Sequence, residues 1–214
     1  LALASHTPSW LRFGTRRSGL WDAAHKNITA RCRLLERRPP RSIQELLGIE
    51  GSIANDYFRA WSAIELTWKA LKQRPIPDDW KRYRSRSALR DGLRVNRGAT
   101  HPVNAMLNYA YGVLIGRTQV QLIAEGYDPT IGILHGRESE RGMYPAFALD
   151  HMEPARPVVD RAILELVKLT TFSGGDFSIQ PDGVCRLNPE LARRVAQLAL
   201  DYCATRDRSV LDGD

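Results

Sequence analysis

His135 and Asp150 have the types and the setting of side chains that hold a divalent metal. Each closes a short apolar segment, 131–134 before the histidine and 146–149 before the aspartate. The charged, glycine-containing stretch 136–144 between them reads as an exposed loop. Two apolar segments that end in donor side chains and share one loop can bring those donors together. Glu50, far upstream, is the candidate third donor. Two carboxylates and one imidazole leave coordination positions open for water and phosphate oxygens. The hard oxygens suit Mg2+ or Mn2+, and the imidazole tilts the choice toward Mn2+. Such an ion polarises a phosphodiester and stabilises the attacking or leaving oxygen. Attack by water gives cleavage and attack by a DNA 3′-hydroxyl gives strand transfer; these residues are compatible with both. Each has an ordinary alternative. A single histidine is more often a hydrogen-bonded structural residue. Asp150 with Glu153 three residues on reads as a capping box. Glu50 suits the first turn of a helix, where it would complement the dipole.

The elements that must carry these groups are mainly helical. Ala24, Ile28, Cys32 and Leu35 are spaced for a helix over about 21–36, ended by the Arg- and Pro-rich stretch 37–41. Ser42 then caps a short helix containing Leu46 and Leu47, stopped at Gly48. A longer helix over about 49–73 carries an apolar stripe of Ile53, Tyr57, Trp61, Ile64 and Trp68. Extended backward, the stripe reaches Glu50, and a carboxylate on an inward face is costly unless it is paired. Pro75 and Pro77 break the chain. Thr100 or His101 before Pro102 begins a helix that ends at Gly126. It places Asn104 and Asn108 one turn apart as supporting polar groups. Pro154 and Pro157 frame the start of a helix with Val158, Ile163, Leu166 and Val167 inward. Residues 177–187 read as a β-hairpin turned at Asp182-Gly183. Asn188 caps a last helix to about Cys203. The class is mostly α with one short hairpin: a basic lead-in over 1–20, a helical catalytic domain over 21–206 and a loose tail over 207–214. Ser173-Gly174-Gly175 is a weak phosphate-loop candidate because no lysine follows it.

The totals set the partners. The 214 residues are enough for a sizeable core, at 43% hydrophobic and 26% charged. Net charge is +7 and the sequence pI about 9.6, which favours phosphate-rich partners such as DNA. The surplus is densest over 78–101, where Lys81, Arg82, Arg84, Arg86, Arg90, Arg94 and Arg97 interleave with Trp80 and Tyr83. The basic groups would neutralise phosphates and the aromatics would stack on bases; the alternative is a solvated connector. The three cysteines are widely spaced with no CxxC, which fits a reducing compartment and packing roles. No apolar run approaches the roughly 20 residues of a membrane span, and no signal peptide is recognisable. A cytoplasmic protein without membrane contact is the expectation.

Four segments in order resemble a known family: 50–58 (EGSIANDYF), 97–111 (RGATHPVNAMLNYAY), 127–135 (YDPTIGILH) and 148–157 (ALDHMEPARP). Together they are similar to the C-terminal helical domain of the CRISPR-associated endonuclease and integrase (Cas-one) family, over about residues 22–203. The resemblance implies a metal-dependent DNA endonuclease or integrase of spacer acquisition in a prokaryotic cytoplasm. The family's metal-binding Glu, His and Asp fall on Glu50, His135 and Asp150. Arg156 joins Lys81, Arg82, Arg84, Arg86 and Arg97 as an expected contact to the DNA backbone, and Glu153, Asn104 and Asn108 as support. It further implies a homodimer built by an N-terminal β-domain, which no stretch here matches, and a small partner (Cas-two). Relatives outside CRISPR loci, including transposon-borne integrases, share these motifs. A DNA-binding or assembly module without catalysis is the reading from another class.

Overall fold

A computed structural model describes residues 18–86, 88–90, 93–95, 98–134 and 145–211. The helices are α1 (Ser18–Arg37), α2 (Ile43–Ala60), α3 (Pro102–Ala124), α4 (Ala146–Met152), α5 (Arg156–Leu169) and α6 (Pro189–Leu211). The strands are β1 (Thr67–Lys69), β2 (Ala88–Arg90), β3 (Leu93–Val95), β4 (Thr171–Ser173), β5 (Phe177–Ile179) and β6 (Cys185–Leu187). The architecture is mostly helical, but the strands form three two-stranded pairings among the described residues rather than the one predicted. The chain divides into two compact units, one from 1–66 with 76–97 and the other from 67–75 with 98–214.

In the first unit α1 packs on α2. Ser42 caps α2 as its position predicts, its hydroxyl accepting the Glu45 N–H at 3.1 Å. The predicted break at Gly48 does not occur. Gly48 lies inside α2 with nothing near its missing side chain, and one helix replaces the two expected. An exposed interior glycine costs a helix only about 1 kcal/mol. Packing through Ile53 and Tyr57 and the Arg31–Asp56 ion pair at 2.7 Å offset it. The expected continuation to residue 73 also fails. The chain tightens into a 3-10 turn at Trp61–Ala63, so the apolar spacing through Trp61, Ile64 and Trp68 is not one helical stripe. Trp61 is fully buried, with Tyr57 edge-on and Tyr83 tilted against it. Burial pushes the Cys32 thiol up, in keeping with a packing role.

Trp80 and Tyr83 are 3% and 0% exposed. These aromatics of the basic run are therefore core residues and do not stack on bases. The run is also more ordered than a connector. It holds a 3-10 turn at Asp78–Lys81, and β2 pairs antiparallel with β3, Leu89 opposite Arg94.

The second unit is built around α3, whose first half is buried continuously from Pro102 to Leu107. Helices α4, α5 and α6 pack against it or its neighbours. His101 starts α3 by accepting the Val103 N–H on Nδ1 at 3.2 Å. Gly126, at φ 85°, ends the path as predicted. Strand β1 runs parallel to β4, which the sequence did not announce, and Trp68, Phe172 and Phe177 cluster over the pair. The 177–187 hairpin forms, with Gly183 at φ 79° and Asp182 Oδ1 accepting the Val184 N–H at 3.1 Å. Helix α6 continues to Leu211, beyond its predicted end and into the stretch expected to be loose. Asn188 caps it by accepting the Leu191 N–H at 2.8 Å, while its amide donates to the Gly175 carbonyl at 3.1 Å. We expect Asn188→Ala to lose about 1 kcal/mol in denaturant unfolding, the usual effect of removing an N-cap.

Candidate metal centre

Asp150 sits in the body of α4, so it does not cap that helix and the capping-box alternative with Glu153 is excluded. Its carboxylate caps something else. Oδ2 accepts the backbone N–H of Ile133 at 2.5 Å and of Leu134 at 3.0 Å. The same segment is tied to the start of α4, because the Pro129 carbonyl accepts the N–H groups of Phe147 and Ala148 at 2.9 and 3.2 Å. Asp128 shapes its entry by accepting the Thr130 N–H at 2.8 Å and hydroxyl at 2.7 Å. Tyr127 adds an edge-on ring contact to Phe147. A charge-assisted anchor at one end and a carbonyl anchor at the other thus hold the 127–134 segment along α4.

Gly132 makes the close approach possible. A Cβ there would lie 2.7 Å from both the carbonyl carbon and the Cβ of Ala146, which backbone cannot absorb without moving. Gly132→Ala is therefore expected to cost roughly 1–3 kcal/mol, the scale of overpacking. It should also raise amide exchange at Ile133 and Leu134, which hydrogen-exchange mass spectrometry reads directly.

The residue after Leu134 is His135, which lies outside the described residues. The chain therefore arrives at position 135 from a peptide N–H hydrogen-bonded to Asp150. Glu50 lies mid-way along α2 and is half-buried, so the first-turn alternative is also excluded. It belongs to the first unit and Asp150 to the second. Among the described residues no cluster of three His, Cys, Asp or Glu side chains is present. The donor set suits a hard divalent ion. The Asp150 carboxylate is held at a fixed orientation, as a ligand oxygen must be.

Below Asp150 the backbone stays helical through a 3-10 turn at Glu153–Ala155 into α5. Asp150, Glu153, Arg156 and Asp160 follow at spacings of three, three and four, which set them along one side. Arg156 donates to Glu153 Oε1 at 2.8 Å, and its guanidinium lies 4.8 Å over the Tyr111 ring from α3. The Tyr111 hydroxyl donates to Asp160, which is 2% exposed. Burial works against the Arg156 charge, but Glu153 outweighs it with help from Tyr111 and Asp160, and the guanidinium is held above its ordinary range. Sequence reasoning missed Tyr111 and Asp160. The signal was present, since Asp160 stands between the inward Val159 and Ile163 as an acid on an apolar face. Tyr111→Phe removes a hydrogen bond to this buried carboxylate, and we expect a loss of roughly 1–3 kcal/mol in unfolding.

Asn104 is buried at 2% exposure and Asn108 half-buried, both in α3. Of the basic residues, Lys81 pairs with Asp78 at 2.7 Å and Arg82 with Glu65 at 3.0 Å, all four side chains exposed. The Lys81 hydrogen bond and charge draw the Asp78 carboxyl below its ordinary range. Arg84 is exposed beside Arg82, Ser62 and Leu20 around a shallow hollow. Arg86 lies 5.8 Å over the Phe58 ring. Arg97 is outside the described residues. Exposed ion pairs of this kind are worth about 0–1 kcal/mol and exchange readily for a phosphate. No helix among the described residues is long and apolar enough to cross a membrane.

The family model described as CRISPR associated protein Cas1 matches residues 10–199. A CRISPR-associated endonuclease Cas1 of Thermus thermophilus is 40% identical over 50% of this chain and 33% of its own length. That of Leptospira interrogans is 30% identical over 77% of this chain and 55% of its own. In both, the chain spans well under two thirds of the relative. Among solved structures, a partial Cas6-RT-Cas1–Cas2 complex has a TM-score of 0.70 at 21% identity, covering 94% of this chain and 54% of that one. A casposase bound to integration product has a TM-score of 0.60 at 24% identity, covering 88% and 56%. The structures establish a shared fold, and the family model spans nearly the whole described chain, including the helix of Glu50 and the α4 strap of Asp150: the chain belongs to the Cas1 family.

Proposed function

We propose that the chain is the catalytic part of a metal-dependent DNA endonuclease and integrase, with Glu50, His135 and Asp150 holding Mg2+ or Mn2+. The observation that carries the reading is the Asp150 strap, which brings the chain to position 135 from a peptide bonded to the Asp150 carboxylate. When bound, the metal supplies Lewis-acid activation of a phosphodiester. Asp150 orients itself and the approach to His135 through the two N–H groups it accepts. His135 must be neutral to serve as a ligand, so activity should fall as the solution is acidified. Lys81, Arg82, Arg84, Arg86 and Arg97 hold the DNA backbone, and phosphate contacts of that kind carry no sequence information. Asn104 and Asn108 support the site from α3.

The names of the relatives and the integration product in the casposase structure favour strand transfer alongside cleavage, as in spacer acquisition. In the longer protein, assembly as a homodimer and with a Cas2-type partner fits the neighbouring complexes. The test is a labelled branched DNA incubated with the chain and Mn2+, with chelator as control. Metal-dependent cleavage or joining supports the reading. DNA binding that metal leaves unaltered and that gives no product, also with the longer protein, would favour an assembly module.

A further inference from the structure

Arg156 stands out among the cations expected to touch DNA. Its side chain is 36% exposed and pairs with a Glu153 that is 20% exposed. Its guanidinium lies flat against Tyr111, which is itself fixed by a hydrogen bond to the buried Asp160. Its Nε–H is fully buried with no acceptor among the described residues. A guanidinium held by a ring face on one side and a carboxylate on the other is a rigid support. That support meets the helical side carrying Asp150 one turn above Glu153.

We propose that Arg156 is a positioning residue of the metal centre rather than a contact to DNA phosphates: clamped by Tyr111, it holds the Glu153 carboxylate in register beneath Asp150. The inference rests on the proposed function, since it concerns the supporting shell of the same site. The chain of fixed groups runs Asp160, Tyr111, Arg156, Glu153, and each link is a contact between side chains of one unit. Partners one step removed from a metal set the orientation and basicity of its ligands, and losing one typically costs 10–100-fold in metal affinity. Lysine keeps the charge but neither the planar fork nor the stacking, so it restores only part of the effect.

The test compares Mn2+ binding by calorimetry in wild type, Arg156→Gln, Arg156→Lys and Tyr111→Phe, with metal-free binding of a labelled duplex across a salt series and thermal unfolding of each variant. The inference predicts Mn2+ affinity about tenfold or more weaker in Arg156→Gln, partly recovered in Arg156→Lys, and weakened in Tyr111→Phe. It also predicts an unchanged salt slope for metal-free DNA binding. Three results overturn it while leaving the metal site standing. One is unchanged Mn2+ affinity with a reduced DNA salt slope, which marks a phosphate contact. Another is unchanged Mn2+ affinity with lowered unfolding temperature alone, which marks a structural role. The third is tighter Mn2+ binding in Arg156→Gln, which marks simple charge repulsion. Absence of Mn2+ binding by the wild type would remove the metal reading itself, and this inference with it.

Discussion

Asp150→Asn is expected to lose at least about a hundredfold in metal-dependent activity, since a ligand should matter no less than the outer partners that typically cost 10–100-fold. Its folding should be nearly intact. The amide oxygen of asparagine has two lone pairs and can still accept the N–H groups of Ile133 and Leu134 that Asp150 accepts now. What disappears is the negative charge that a hard cation requires. Asp150→Ala removes the acceptor as well, leaving two backbone donors of the strap without their partner, and a further 1–3 kcal/mol or so of stability should go with it. Activity assays with thermal unfolding on the two variants separate metal charge from strap. If Asp150→Asn kept full activity, Asp150 would serve only the strap, and the ligand role would pass to another group.

The second large effect is on DNA binding. Replacing Lys81, Arg82, Arg84 and Arg86 together with alanine removes four cations from one stretch of the first unit. Each cation that no longer neutralises a phosphate should lower the slope of log affinity against log salt by about 1, so the slope of the combined variant should fall by up to about 4. The weakening should be uniform across DNA sequences, because these groups read charge and not bases. Trp80 and Tyr83 lie in the core, so no stacking on bases remains to rescue affinity. Binding titrations at several salt concentrations measure this, and an unchanged slope would mean that the run faces away from DNA.

The helices and their caps were legible because their signals are local. Ser42, His101 with Pro102, Gly126 and Asn188 each act within a turn of where they stand, and each does what its position predicts. The failures needed tertiary information. Gly48 reads as a stop, yet α2 runs through it because packing on α1 outweighs one glycine. Trp61, Ile64 and Trp68 keep helical spacing, but Trp68 is drawn into a parallel pairing with a segment about a hundred residues away. The aromatics of the basic run were misread for the same reason, since adjacency to arginine does not reveal which way a ring turns. At the candidate site, residue types and spacing announced Glu50, His135 and Asp150. They did not announce that Asp150 binds the backbone before His135, nor that Gly132 must be a glycine for that segment to dock. The row from Asp150 to Asp160 was present in the spacing, but Arg156 read as a DNA contact until the Tyr111 ring was placed beneath it.

Calorimetric titration of Mn2+ into the wild type and into His135→Ala tests the central claim most directly. Binding by the wild type that vanishes in His135→Ala would establish that residue 135, delivered beside Asp150 by the strap, completes a metal site. Equal binding by both proteins, or none by the wild type even in the longer protein, would contradict it.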